Sequence, residues 1–108
     1  MLSNAEIADG VIERIARKAG YTLPLTPTMS LTDSPLSLSE TKVRRLANNL
    51  RKFMKDARAD ATLKKQEVID AKNVRGVVQL LVKKILDETI DDEEADSLID
   101  EVQAEVVA

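Results

Sequence analysis

A chain of 108 residues fits one domain around one core, and its 44% hydrophobic content is mostly Ala, Leu, Ile and Val, with Tyr21 and Phe53 its only aromatic residues. Lacking both Cys and His, it forms no disulfide, thiolate metal site or thiol nucleophile, and zinc or copper sites are not expected. Its net charge of −3 conceals a dipole: residues 1–41 carry −2, residues 42–84 carry +9 and residues 85–108 carry −10, an asymmetry that speaks to partners more than to fold.

Aliphatic stripes at helical spacing predict an all-α fold, a small bundle of four to five helices with a long proline-containing arm between helices 1 and 2. The first helix is predicted over about 4–19, opened by the capping box of Ser3 and Glu6. Ile7, Ala8, Val11, Ile12, Ile15, Ala16 and Ala19 form its stripe, Gly20 closes it in a left-handed conformation, and Arg17 and Lys18 suit its negative end. Gly10 falls on the polar face and reads as a tolerated cost in helix propensity.

Over 21–36, Pro24, Pro27 and Pro35 remove backbone donors and bias Leu23, Thr26 and Ser34 toward extended conformations. Leu23, Leu25, Met29 and Leu31 fall at odd positions, the spacing of a strand-like segment lying on a surface. That surface is either the chain's own domain or a neighbouring subunit or partner.

The second helix, over about 38–60, is capped by Ser37 with Glu40, or by Ser39 with Leu38 stapled against Val43. Val43, Leu46, Ala47, Leu50, Phe53, Met54 and Ala57 form one stripe, while Lys42, Arg44, Arg45, Arg51, Lys52, Lys55 and Arg58 occupy the other faces as a basic interaction surface. A shift in the apolar face predicts a break near Asn73, dividing a short third helix at about 63–71 from a fourth at about 74–88. The fourth is apolar nearly all round (Val77, Val78, Leu80, Leu81, Val82, Ile85, Leu86) and is therefore expected at the centre. Asp91 with Glu94, and Ile90 stapled on Ala95, start a fifth helix over about 91–106 with the stripe Ala95, Leu98, Ile99, Val102 and Val106. Its acidic interaction surface is Asp91, Asp92, Glu93, Asp96, Asp100 and Glu101, and the cluster Asp91, Asp92, Glu93, Glu94 and Asp96 lies in the first turns, toward the positive helix end.

The chemistry that these residues could carry is limited. An EF-hand loop begun at Asp87 puts Asp92 where Gly is needed and Leu98 where the bidentate Glu belongs, so a solvated acidic face is expected and no metal. Carboxylates on an open helix lack the cleft that acid–base catalysis requires, three scattered glycines build no phosphate loop, and no Ser is paired with a buried Lys. Neither enzyme activity nor a cofactor is expected. No apolar run exceeds Val77–Val78 or Leu80–Val82, so no membrane partner is expected, and the predicted setting is cytoplasmic or virion-associated.

Two local resemblances remain. Asp96-Ser97-Leu98 resembles the attachment site of acyl carrier proteins, but there the modified Ser opens a helix, whereas Ser97 falls inside one, and no phosphopantetheine site is carried over. Ala16 to Thr22 is similar to the helix end before the turn of helix-turn-helix proteins, including phage small terminase subunits, which implies nucleic acid or phage packaging without naming residues.

The basic and acidic blocks nearly match, so pairing between them is expected, within one chain or between chains. The resulting reading is a non-enzymatic protein–protein interaction or assembly module using the basic (42–84) and acidic (85–108) surfaces, such as a phage or virion connector or assembly factor. Its partner is itself, as a homo-oligomer, or another protein. The alternative is a DNA-binding protein, for packaging or regulation, that uses the basic second helix and is autoinhibited by its acidic last one.

Overall fold

The computed structural model describes residues 2–22, 24–57 and 61–107, with side chains up to 104. Five α-helices are formed: α1 (Asn4–Ala19), α2 (Glu40–Asp56), α3 (Lys65–Ala71), α4 (Val74–Leu86) and α5 (Asp92–Val107). Among the described residues there is no strand beyond one isolated bridge.

Helix boundaries follow local chemistry. At α1 the predicted box is complete, with the Glu6 amide donating to Ser3 Oγ at 3.2 Å and the Ser3 amide to Glu6 Oε1 at 3.0 Å. Gly20 ends α1 at φ 64°, a left-handed conformation that glycine adopts without a Cβ penalty. Of the two caps predicted for α2, Ser39 is the one used, receiving the Lys42 amide at 3.2 Å; Ser37 lies outside the helix. Asn73 breaks the chain between α3 and α4 by capping α4, its Oδ1 receiving the Gly76 amide at 2.8 Å. Asp91 does the same for α5, receiving the Glu94 amide at 2.8 Å.

Besides the start of α2 at Glu40 rather than about 38, three helix limits differ from expectation. α2 stops at Asp56, with Ala57 at its end. α3 begins at Lys65 because Leu63 is spent as a buried anchor in the incoming loop, where its carbonyl receives Arg51 Nε. α4 ends at Leu86 because Asp87 turns left-handed at φ 54°, a conformation that a short polar side chain tolerates.

α1 packs against α2, α4 and α5, while α4 packs against α1, α3 and α5 and touches α2. The centre is thus a pair, and not α4 alone as its all-round apolarity suggested. Ile7, Ala8, Val11, Ile12 and Ile15 bury two sides of α1. Gly10 belongs to that buried surface and not to a polar face: a Cβ there would run into the Phe53 ring of α2. Arg14 completes the contact, with its guanidinium 4.4 Å from the ring centroid and Nη1 donating to the Gly10 carbonyl at 3.0 Å.

Residues 24–39 do not lie out as an extended arm. They turn at Pro27–Thr28 and again at Ser34–Leu36, and pair with the α3–α4 junction through a single antiparallel bridge between Ser30 and Asn73. Around it the Leu31 amide donates to Lys72 (3.0 Å), the Val74 amide to Met29 (3.1 Å) and the Arg75 amide to Pro27 (2.9 Å). The segment therefore packs on its own domain. Leu25 and Leu31 are buried and Met29 half-buried, whereas Leu23 lies outside the described residues. Leu36 and Leu38, not counted among the arm contacts, are buried too, each such side chain adding about 1.5–3 kcal/mol of burial.

Candidate interaction surfaces

The stripe Val43, Leu46, Ala47, Leu50 and Met54 turns α2 toward α1, which leaves Lys42, Arg44, Arg45, Arg51, Lys52 and Lys55 exposed on the outside. Among the described residues no carboxylate lies within ion-pair distance of Lys42, Arg44, Arg45, Lys52 or Lys55. Arg51 is different: its guanidinium bonds the Leu63 carbonyl and Asn48, so it braces the α2–α3 connection. Arg58 lies outside the described residues. Exposed Lys64 and Lys72, at the two ends of α3, belong to the same basic stretch. Lys65 bonds Glu40 at 2.9 Å, a hydrogen bond that holds this carboxyl below its ordinary pKa.

The acidic helix divides into two roles. Ala95, Ile99 and Val102 bury one side of α5, while Asp91, Asp92, Glu93, Asp100 and Glu101 are exposed and Asp96 is half-buried. Arg75 of α4 clamps Asp96 with both prongs, Nε to Oδ1 at 2.7 Å and Nη2 to Oδ2 at 2.8 Å, and reaches Asp92 at 3.6 Å. This hydrogen bonding lowers the Asp96 pKa and raises that of Arg75. Gln79 also bonds Asp92 (2.8 Å) and the Ile90 carbonyl (3.3 Å). Asp91, Asp92 and Asp96 therefore cap and dock the helix, leaving Glu93, Asp100 and Glu101, joined by Glu94, as its outward acidic face.

Among the described residues, the expected meeting of the basic and acidic blocks inside the chain is limited to Arg75 with Asp96 and Asp92, and to Lys83 with Asp87 at 3.1 Å. Among the described residues α2 and α5 make no contact; α1 packs against both, and the two charged poles face solvent separately.

A groove of about 400 Å³ lies between α1 and α5 and is bounded also by Tyr21, Thr22 and Pro24, with Ile12, Ala16, Leu25 and Val102 at its base. Gln103 holds its wall together, with Oε1 receiving the Leu25 amide and Nε2 donating to the Leu25 carbonyl, both at 2.6 Å. This side-chain pairing with a backbone some eighty residues away has no signature in the sequence (|i−j| is 78).

Glu6, Glu40, Glu67, Asp96 and Arg75 are each shifted toward the charged form. Glu67 is lowered by its hydrogen bond from Lys84 and then by the Lys64 amide, and Glu6 by the Ser3 amide and then the Ser3 hydroxyl. Groups moved away from neutrality are the reverse of what acid–base catalysis near pH 7 requires. Among the described residues no three His, Cys, Asp or Glu side chains are grouped to hold a metal ion, and no helix is long and apolar enough to cross a membrane.

No protein-family model, curated protein or solved structure matches the chain. The two local resemblances do not extend further: α1 does end at Gly20, but the next helix starts only at Glu40, and Ser97 sits exposed within α5.

Proposed function

We propose that the chain is a non-enzymatic assembly module that joins copies of itself, basic α2 face to acidic α5 face. The observation that carries this reading is the separation of the two poles: each is displayed on a helix anchored by its own apolar stripe, and among the described residues the two helices make no contact. A surface on one copy is then complementary to a different surface on the next. Such a contact is heterologous and builds rings or open filaments. A virion or other multi-subunit assembly would use a module of this kind.

Light scattering across a salt series tests the reading. At about 0.02 M salt the mass should exceed the 11.9 kDa of one chain and rise with concentration, and it should fall toward that value near 0.5 M, where screening shortens the reach of exposed charges. R44E/R45E/K52E and D100K/E101K should each be monomeric alone and associate when mixed. A wild-type monomer at low salt overturns the proposal.

The second reading, DNA binding through α2, is favoured by the gathering of Lys42, Arg44, Arg45, Lys52 and Lys55 on one exposed helix surface. Autoinhibition by α5 lying over that surface is not available to it, since the two helices make no contact among the described residues. Deleting α5 would strip Ile99 and Val102 from the core, so the discriminating variant is D100N/E101Q with a gel-shift readout. Salt-sensitive binding of duplex DNA by a monomeric chain selects this reading.

A further inference from the structure

The groove between α1 and α5 is a second surface, separate from the two poles. Its lining is mainly apolar: Ala16 and Tyr21, half-buried, present the accessible apolar surface over a base of Ile12, Leu25 and Val102 that is only 8%, 2% and 5% exposed. Its polar lining comprises exposed Thr22, the Gln103 amide and two carboxylates. The Gln103 amide is committed on both atoms to the Leu25 backbone, so it has little left with which to orient a ligand. Asp9 and Glu13, one turn apart on α1, are exposed at the rim; Glu13 pairs with Arg17, and Asp9 has no cation within ion-pair distance among the described residues.

We infer that this groove docks a segment of another protein that carries an aliphatic anchor flanked by Lys or Arg. The inference rests on reading the chain as an interaction module, and the charge complementarity of the rim selects the partner's chemistry. An apolar side chain buried on the floor supplies affinity, as in helix-in-groove recognition, and a flanking cation over Asp9 sets orientation. The basic α2 face of a second copy is not a suitable occupant: its outward positions are polar, and Phe53, its half-buried aromatic, is already engaged by Arg14. Assembly and groove docking therefore use different surfaces.

The chain has one Tyr and no Trp, and that Tyr lines the groove, so Tyr21 emission reports occupancy directly. The probe is an amphipathic Leu/Lys peptide without aromatic residues, titrated at low salt into the full chain carrying R44E/R45E/K52E, which keeps it monomeric and lies away from the groove. A saturable change in Tyr21 emission is expected, weakened about tenfold or more by Ala16→Phe, which fills the floor, and by Asp9→Lys, which inverts the rim. Asp9 is exposed, so Asp9→Lys remains informative if Ala16→Phe perturbs folding, which helical circular dichroism checks.

Equal binding of the matching Leu/Glu peptide, or binding unchanged by both substitutions, overturns the inference. So does the absence of a saturable signal. If Ala16→Phe lowers the low-salt assembly mass, the groove is a contact between copies and the proposal of a foreign segment falls. Loss of self-association by the wild-type chain, with peptide binding retained, would instead count against the assembly reading alone.

Discussion

Gly76 and Gly10 show how differently two helix-interior glycines can be constrained. A Cβ at Gly76 would strike the Ala71 backbone, its carbonyl carbon at 2.9 Å, where α4 starts directly beneath the end of α3. Backbone cannot step aside, so Gly76→Ala should cost about 1–3 kcal/mol or more by overpacking. At Gly10 the obstacle is the end of the Phe53 ring, which can swing, and the gain in helix propensity of about 1 kcal/mol offsets part of the strain. Urea denaturation should therefore show Gly76→Ala clearly less stable than Gly10→Ala; equal midpoints would contradict the contact pattern. Neither constraint is legible in the chain itself. The helical projection put Gly10 on a polar face, because what approaches it comes from a helix about forty residues away in sequence (Gly10 to Phe53).

Helix ends are where local chemistry speaks most directly, and most of them were legible. Ser3 with Glu6, Gly20, Ser39 and Asp91 each satisfy orphan backbone groups using residues within four positions, so spacing alone identifies them. Asn73→Ala should accordingly cost about 1 kcal/mol, measurable in the same urea series, by leaving the Gly76 amide without its cap. The connection from α1 to α2 was not legible to the same degree. Its prolines announced the absence of helix, but its attachment depends on the α3–α4 junction and on Gln103, both distant in sequence. Gln103→Ala should cost about 1–3 kcal/mol by leaving the Leu25 amide and carbonyl unpaired. Hydrogen exchange checks the mechanism: the Leu25 amide should lose protection, while amides in the middle of α1 keep theirs relative to global stability.

For the whole molecule, the hydrogen-bonded carboxylates make folding stability depend on acidity. Asp96, Glu67, Glu40 and Glu6 all have folded pKa values below their ordinary ones, because each accepts hydrogen bonds as a carboxylate. The unfolded chain then binds protons first on acidification. Stability from these groups is fully present above their ordinary values near pH 4 and is lost as pH falls through the lowered folded values. Arg75→Gln should flatten this acid limb in thermal melts taken from pH 7 to pH 3, since it removes the partner of Asp96; an unchanged slope would show that the clamp contributes nothing to linkage.

The helical class, the helix breaks, most caps and the charge dipole were readable along the chain because each depends on period, composition or neighbours within one turn. The pairing of α1 with α4 at the centre, the isolation of α2 from α5, and the groove closed by Gln103 all depend on how rigid helices stack across long separations. An apolar stripe states that a helix has a buried side, but not which other helix covers it. The nearly matched charge blocks invited pairing within the chain. Because α1 packs against both α2 and α5, those two helices make no contact among the described residues, and pairing between the blocks is left to Arg75 with Asp92 and Asp96 and to Lys83 with Asp87.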